Sequence, residues 1–274
     1  MKCFATALFL LPGAVLPAAD PHPVTNPESA LMLGGPWVPE NTHLIDFASL
    51  PLVTHEHAVV SDVRKEKGVN QHNYLTHNDG RFFAMWSDGP GVEDRVGQRV
   101  KFATSADGLT WEAPRFLTPE PPHSGPGSPH YGTRTDQGFR YIARGFWQRD
   151  GELLALAALD EAAGFFGKSL ELRAFRWKDD ETWEDAGLIH DDTINNFPPL
   201  RLSTGDWMMS RRPHDYKSAG VQFLVGGVKA LDDWQSFPVL GSASELTAEE
   251  PDWWILPDEN LSAIFRDNRK SGFL

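Results

Sequence analysis

Residues 100–111, VKFATSADGLTW, read as a strand that runs into a tight polar turn and emerges on a tryptophan. Asp107 can accept backbone N–H bonds across the turn, Gly108 permits a positive φ, and Trp111 offers a large apolar face for packing between neighbouring sheets. Two later stretches have the same shape: LELRAFRWKDDETW, ending at Trp183, and VQFLVGGVKALDDW, ending at Trp234. Each follows a polar turn and an apolar strand. Asn78-Asp79-Gly80 precedes RFFAMWS, Arg149-Asp150-Gly151 precedes ELLALAA, and Ser203-Thr204-Gly205 precedes DWMMS. From turn glycine to tryptophan the separations are 31, 32 and 29 residues.

Three nearly equal separations define a repeat. Each unit reads as strand, tight turn, strand, loop, strand, turn, strand, which is the content of a propeller blade with variable loops. A β-sandwich also has many short strands, but gives no reason for a tryptophan at fixed phase. A fourth turn, Asp258-Glu259-Asn260 before LSAIF, aligns best at Glu259, 54 residues beyond Gly205. The expectation is therefore an all-β propeller of four-stranded antiparallel blades, about three and a half of them over residues 66–274, within a complete ring of six or so. Residues 20–65 form a leading segment.

The first 19 residues read as an export signal: Lys2, an apolar run from Phe4 to Leu16, and Ala18-Ala19 before Asp20. The run is too short and too interrupted by Pro12-Gly13 to span a bilayer. Cys3 is the single cysteine and would leave with the signal, so the mature chain is expected to lack thiols, disulfides and cysteine-bound metal. The expected location is secreted or periplasmic. A net charge of −13 argues against nucleic acid and anionic membrane as partners. No Gly-rich phosphate loop, Gly-x-Ser-x-Gly elbow or cysteine nucleophile is present, and no cofactor is expected.

If the turn glycines join the two inner strands at the bottom, the strand tops lie seven to ten residues away, on the face where propellers carry function. The first blade then presents Gln71, His72 and Asp88, with Glu93 and Asp94 in the adjoining loop. The second presents Arg140 and Arg144, with Tyr131 in the loop leading in. The third presents Asn196, Arg211 and Arg212, and the fourth Glu250, Arg266 and Asn268. Arginine suits a carboxylate ligand because its planar fork binds both oxygens. Each arginine alone could equally pair with a local carboxylate, so only the cluster points to a site. His72 can relay a proton near neutral pH or simply be hydrogen-bonded in its loop. His55 and His57 lack a third ligand, and no metal is expected.

Ser105-Ala106-Asp107-Gly108-Leu109-Thr110-Trp111 resembles the Asp box of sialidases and their relatives. The resemblance covers about residues 66–274, with degenerate copies near Trp183 and Trp234, and implies a carbohydrate-active enzyme cleaving glycosidic bonds at acidic sugars. It implies an acid/base aspartate in the first top loop, matched by Asp88 or Asp94, and a tyrosine nucleophile from later blades. The family's first carboxylate-binding arginine is replaced here by Asn70-Gln71-His72-Asn73. A histidine there resembles the propeller polysaccharide lyases, which implies that His72 and Tyr131 exchange protons while Arg144, Arg211 or Arg266 neutralises a uronate. A non-catalytic sugar-binding propeller is the third reading. The expected partner is an acidic oligo- or polysaccharide, and the full-length protein is expected to be monomeric.

Overall fold

The computed structural model describes residues 44, 46, 48, 54–63, 68–240, 248–256, 258–267 and 272–273. Residues 1–19, expected to be an export signal, with Cys3 among them, and Asn268 lie outside the described residues. The chain divides into two compact units, residues 1–56 and 57–274. In the first, the Asp46 carboxylate accepts the amide of Ala48, and Leu44 is exposed. The second unit is a β-propeller built from consecutive antiparallel sheets.

The first sheet contains β1 (Gly68–Asn78), β2 (Arg81–Pro90), β3 (Arg99–Ser105) and β4 (Arg115–Phe116). The second contains β5 (Phe139–Arg149), β6 (Glu152–Glu161), β7 (Glu171–Trp177) and β8 (Trp183–Asp191). The third contains β9 (Leu200–Arg201), β10 (Trp207–Arg211), β11 (Gln222–Gly226) and β12 (Trp234–Pro238). A fourth has three described strands, β13 (Ala248–Ile255), β14 (Leu261–Asp267) and β15 (Gly272–Phe273). Strands pair in chain order throughout, so every sheet is a meander. A single helical turn, α1 (Tyr216–Ala219), lies between β10 and β11. Among the described residues no helix is long and apolar enough to cross a membrane.

The turns impose this order because their backbones demand particular residues. Asp79-Gly80 and Asp150-Gly151 each hold two successive positive φ values, +46° and +72°, then +51° and +84°. That is the two-residue hairpin whose twist matches the flanking strands, and Asp-Gly adopts it readily. Gly205 and Glu259 occupy the same phase with φ of +90° and +66°. The turn at 105–111 folds as its residues dictate. Asp107 Oδ1 accepts the amides of Leu109 and Thr110 at 2.8 and 2.7 Å, and Gly108 has φ +76°. Trp111 Nε1 donates to the Gly108 carbonyl at 2.9 Å, and Trp234 Nε1 repeats the contact with Leu231 at 2.6 Å. The degenerate third copy thus keeps the tryptophan's contact without the Asp-Gly pair.

β6 shows what holds the sheets together. Its central residues Leu153 to Asp160 are all buried, and their side chains alternate between two cores. Leu153, Ala155, Ala157 and Leu159 face the first sheet, packing with Phe83, Met85 and Phe102. Leu154, Leu156 and Ala158 face the third, packing with Ile194, Met209 and Leu224. A strand buried on both faces loses polar alternation, which is why residues 153–159 are all apolar, and the buried Asp160 that follows them is paired with Arg140. Full burial of each leucine contributes about 1.5–3 kcal/mol relative to exposure. The repeat tryptophans seal the joints. Trp183 lies edge-on to Phe83 and Phe102 of the first sheet, and Trp234 packs on Trp147 of the second. Trp111 instead stays half-buried on its own turn.

Candidate functional site

The innermost strands share an irregularity that builds the site. In the first sheet, residues 72–73 of β1 oppose one residue of β2, between the pairs Gln71↔Ser87 and Tyr74↔Met85. In the second, residues 144–145 of β5 make the same two-against-one bulge between Ala143↔Ala157 and Phe146↔Ala155. In the fourth, residues 250–251 of β13 do so between Glu249↔Arg266 and Asp252↔Ile264. The third sheet breaks at the same level, between the bridge Ile194↔Arg212 and the pair Leu200↔Met208. A bulge bends its strand and re-aims a side chain. The first bulge residues are His72, Arg144 and Glu250, and all three line one cavity of about 290 Å³, with Asn196 from the third sheet.

Maintaining these bulges imposes strain. His72 and Glu250 hold positive φ, +53° and +50°, which non-glycine residues adopt at a cost of about 1–3 kcal/mol. In the second sheet the left-handed position is Gly145, φ +105°, where a Cβ would meet Pro198 at 2.8 Å. Only glycine fits both that backbone and that space.

Arginines dominate the cavity. Arg140 is 1% exposed and bonds Asp160 in bidentate fashion, Nε to Oδ1 at 2.9 Å and Nη2 to Oδ2 at 3.3 Å, while Nη1 donates to Asp94. Arg266 reaches Glu249 at 2.5 Å and Glu250 at 3.4 Å. Arg212 is buried, 3.9 Å from Glu250, and lies over the rings of Phe166 and Tyr216. Arg144 differs. It is 5% exposed, and among the described residues no carboxylate lies within ion-pair distance. Its Nη1 donates to the Asn195 carbonyl at 3.2 Å, and its Nε has no partner. Burial lowers its pKa to about 10, so the guanidinium stays charged at neutral pH.

His72 lies among these cations. Burial first, then Arg144, Arg140 and Arg212, lower its pKa to about 3, so the ring is neutral in ordinary buffers. Tyr74 donates to the Asn196 carbonyl at 2.9 Å, and burial raises its pKa. Tyr216 is pushed up to about 12, by burial and by its hydrogen bond to Glu249. Glu93 lines the mouth, is exposed, and has no ion pair among the described residues.

Of the residues expected from sequence, His72, Glu93, Asp94, Arg140, Arg144, Asn196, Arg212, Glu250 and Arg266 come together here. Gln71 pairs with Ser87 in the ladder just before the bulge and does not line the cavity. Arg211 points to the opposite face of β10, held by Gln222 at 2.6 Å, Thr193 at 3.1 Å and Asp192 at 3.5 Å. Asp88 is tied to Lys101 at 2.9 Å, and Tyr131 packs on Gly97; both line a separate cavity of about 440 Å³ beside the first sheet. The histidine–tyrosine pair is therefore not assembled: the tyrosines that share a cavity with His72 are Tyr74 and Tyr216. Sequence reading also overlooked Phe165, Phe166 and Glu249. One signal was available for β5, where Arg140, Ile142 and Arg144 alternate onto the cavity face.

A three-ligand group of metal-binding type, Asp192, His214 and Asp215, lies outside this cavity. The His214 ring bonds Asp192 at 3.0 Å and Arg211 approaches the same carboxylate, so Asp192 is already engaged.

No family model matches the chain, and no curated protein matches it. Among solved structures it is similar to a family 117 glycoside hydrolase of the marine bacterium Zobellia galactanivorans. That match has a TM-score of 0.53 at 10% identity, over 80% of this chain and 70% of the other. An α-L-arabinofuranosidase from Lactobacillus brevis matches with a TM-score of 0.48 at 11% identity, over 74% and 66%. A sialidase matches with 0.41 at 14% identity, over 77% of this chain and 25% of its own. At such identities the likeness is one of fold.

Proposed function

We propose that this chain belongs to an exported carbohydrate-active enzyme of sialidase-like type, cleaving glycosidic bonds at acidic sugars in the cavity where the four inner strands meet. The observation that carries the reading is Arg144: a buried guanidinium with no carboxylate within ion-pair distance among the described residues, lining a cavity. A buried charge without its counterion is costly, and a ligand carboxylate would supply one. Arg212, with one counterion at the limit of ion-pair distance, is its nearest rival as a second handle. The fold of the similar glycoside hydrolases supports the chemistry by analogy.

The carboxylates divide by environment. Asp94, clamped by Arg140, suits stabilisation of developing positive charge. Glu93, exposed at the mouth and in no ion pair among the described residues, suits the proton transfers of the reaction. An elimination route has less support, because Tyr131 lies in another cavity.

The test is a panel of uronate- and sialate-containing glycans with their carboxyl-reduced counterparts. Arg144→Gln should weaken acidic glycans roughly ten- to hundred-fold, from a charge-assisted contact of about 1.5–3 kcal/mol, and leave the reduced ones nearly unchanged. Equal losses on both would show that Arg144 is structural. No turnover or binding of any acidic glycan by the intact enzyme would overturn the reading.

A further inference from the structure

We propose that His72 is locked by Ser87 as the neutral Nε2–H tautomer and serves the cavity as a fixed hydrogen-bond donor, not as a proton acceptor. The argument begins with Ser87, which lies fully buried in β2. Its Oγ accepts the Ala143 amide at 2.9 Å, fixing the oxygen between the first and second sheets. The hydroxyl has one proton to give, and among the described residues its acceptor is His72 Nδ1 at 3.1 Å. Were Nδ1 to carry the ring proton, the buried hydroxyl proton would have no acceptor among the described residues. Nδ1 therefore accepts, and the proton resides on Nε2, the nitrogen left for the cavity that His72 lines.

The backbone supports the same role. The bulge at 72–73 and the left-handed φ of His72 hold the ring against Ser87 at an energetic cost, and such strain persists where its surroundings over-determine it. The charges around the ring are consistent. Arg140 and Arg144 approach from β5 and Arg212 from beyond β10, and all three oppose an imidazolium. The carboxylates of the cavity are turned to arginines instead, Asp94 to Arg140, and Glu249 and Glu250 to Arg266. Glu93 sits at the exposed mouth, and Tyr74 and Tyr216 remain protonated. A neutral Nε2–H can hold a hydroxyl, carbonyl or carboxylate oxygen of a ligand, and proton transfer then falls to a carboxylate. The ligand half of this inference rests on the proposed function; the tautomer does not.

Long-range ¹H–¹⁵N correlation spectra of the intact, ¹⁵N-histidine-labelled protein test it without any ligand. His72→Asn, which tolerates a left-handed backbone, identifies the signal by its loss. Should that variant fail to fold, the ring perturbed in Ser87→Ala identifies it. The expected result is one ring with a protonated Nε2 and unprotonated Nδ1, unchanged from about pH 5 to 8, where a free histidine would titrate. In Ser87→Ala the same ring should become a mixture of tautomers. A ring that titrates in that range, a protonated Nδ1, or an unchanged tautomer in Ser87→Ala would each overturn the proposal. A locked ring in a protein without acidic-glycan activity would sink the hydrolase reading alone, whereas a titrating ring in an active enzyme would sink this one alone.

Discussion

Arg144 and Asn195 hold each other's backbones: Arg144 Nη1 donates to the Asn195 carbonyl at 3.2 Å, and Asn195 Nδ2 donates to the Arg144 carbonyl at 3.1 Å. The exchange joins the inner edges of the second and third sheets at the level of the bulges. Asn195 is fully buried, and the same Nδ2 also donates to the Phe197 carbonyl at 2.7 Å. Asn195→Ala removes both bonds and strands the buried Arg144 carbonyl, so the expected loss is about 1–3 kcal/mol. Urea titration should show a lower midpoint with an unchanged slope. A midpoint equal to wild type would mean that water or a shift of the strand replaces the amide.

Arg140 and Asp160 make the cavity's buried ion pair, at 1% and 0% exposure. Removing one partner leaves a charge in the interior, and such deletions cost about 3–5 kcal/mol. Asp160→Asn and Arg140→Met should each be severe. The double variant should cost clearly less than their sum, because the stranded charge disappears with its partner. A double-mutant cycle by chemical denaturation reads this directly, and strict additivity would show that the two groups do not interact. Asp94 remains as a second counterion to Arg140, so Arg140→Met is expected to be the worse single change.

These two relationships differ in how far the sequence could have foretold them. Turns such as Asp79-Gly80 and Asp150-Gly151 were legible because positive φ at two successive positions narrows the choice of residue. With those turns as fixed points, counting back along an extended strand sets height, and His72, Arg144 and Asn196 fell at the right level. Height is not direction. Arg211 ends β10 and Arg212 follows it directly, and alternation along the extended chain sends one to Gln222 and the other into the cavity. Deciding which goes where needs the register of β10 against β11, and no turn residue reports it.

The bulges hid the rest. An extra residue in β1 changes the phase of everything above it, so Gln71 and His72 could not be sorted by period two. Two of the three bulges carry their left-handed residue as histidine or glutamate, which gives no sign of the backbone it adopts. Tyr131, Phe166 and Tyr216 sit in loops or a single helical turn, whose paths are set by tertiary packing alone. Tyr131 settles against Gly97, where a Cβ would come within 2.5 Å of its ring. That packing places it beside the first sheet.

Asp107 provides the last prediction, and its sign follows from its partners. The amides of Thr110 and Leu109 donate to the carboxylate, with Ser105 assisting, and hold its pKa at about 2 against an ordinary 3.8. The folded state therefore binds its proton less readily than the unfolded chain does. The stability this contributes is fully present above about pH 4 and is lost as pH falls through the folded pKa near 2. Asp107→Asn keeps an oxygen that can accept the same amides but removes the charge. Wild type should melt higher than the variant near neutral pH, and the gap should close between about pH 4 and pH 2. Thermal melts of both proteins across that range test it. A gap that persists undiminished at the acid end would mean that the turn depends on Asp107 for its shape and not for its charge.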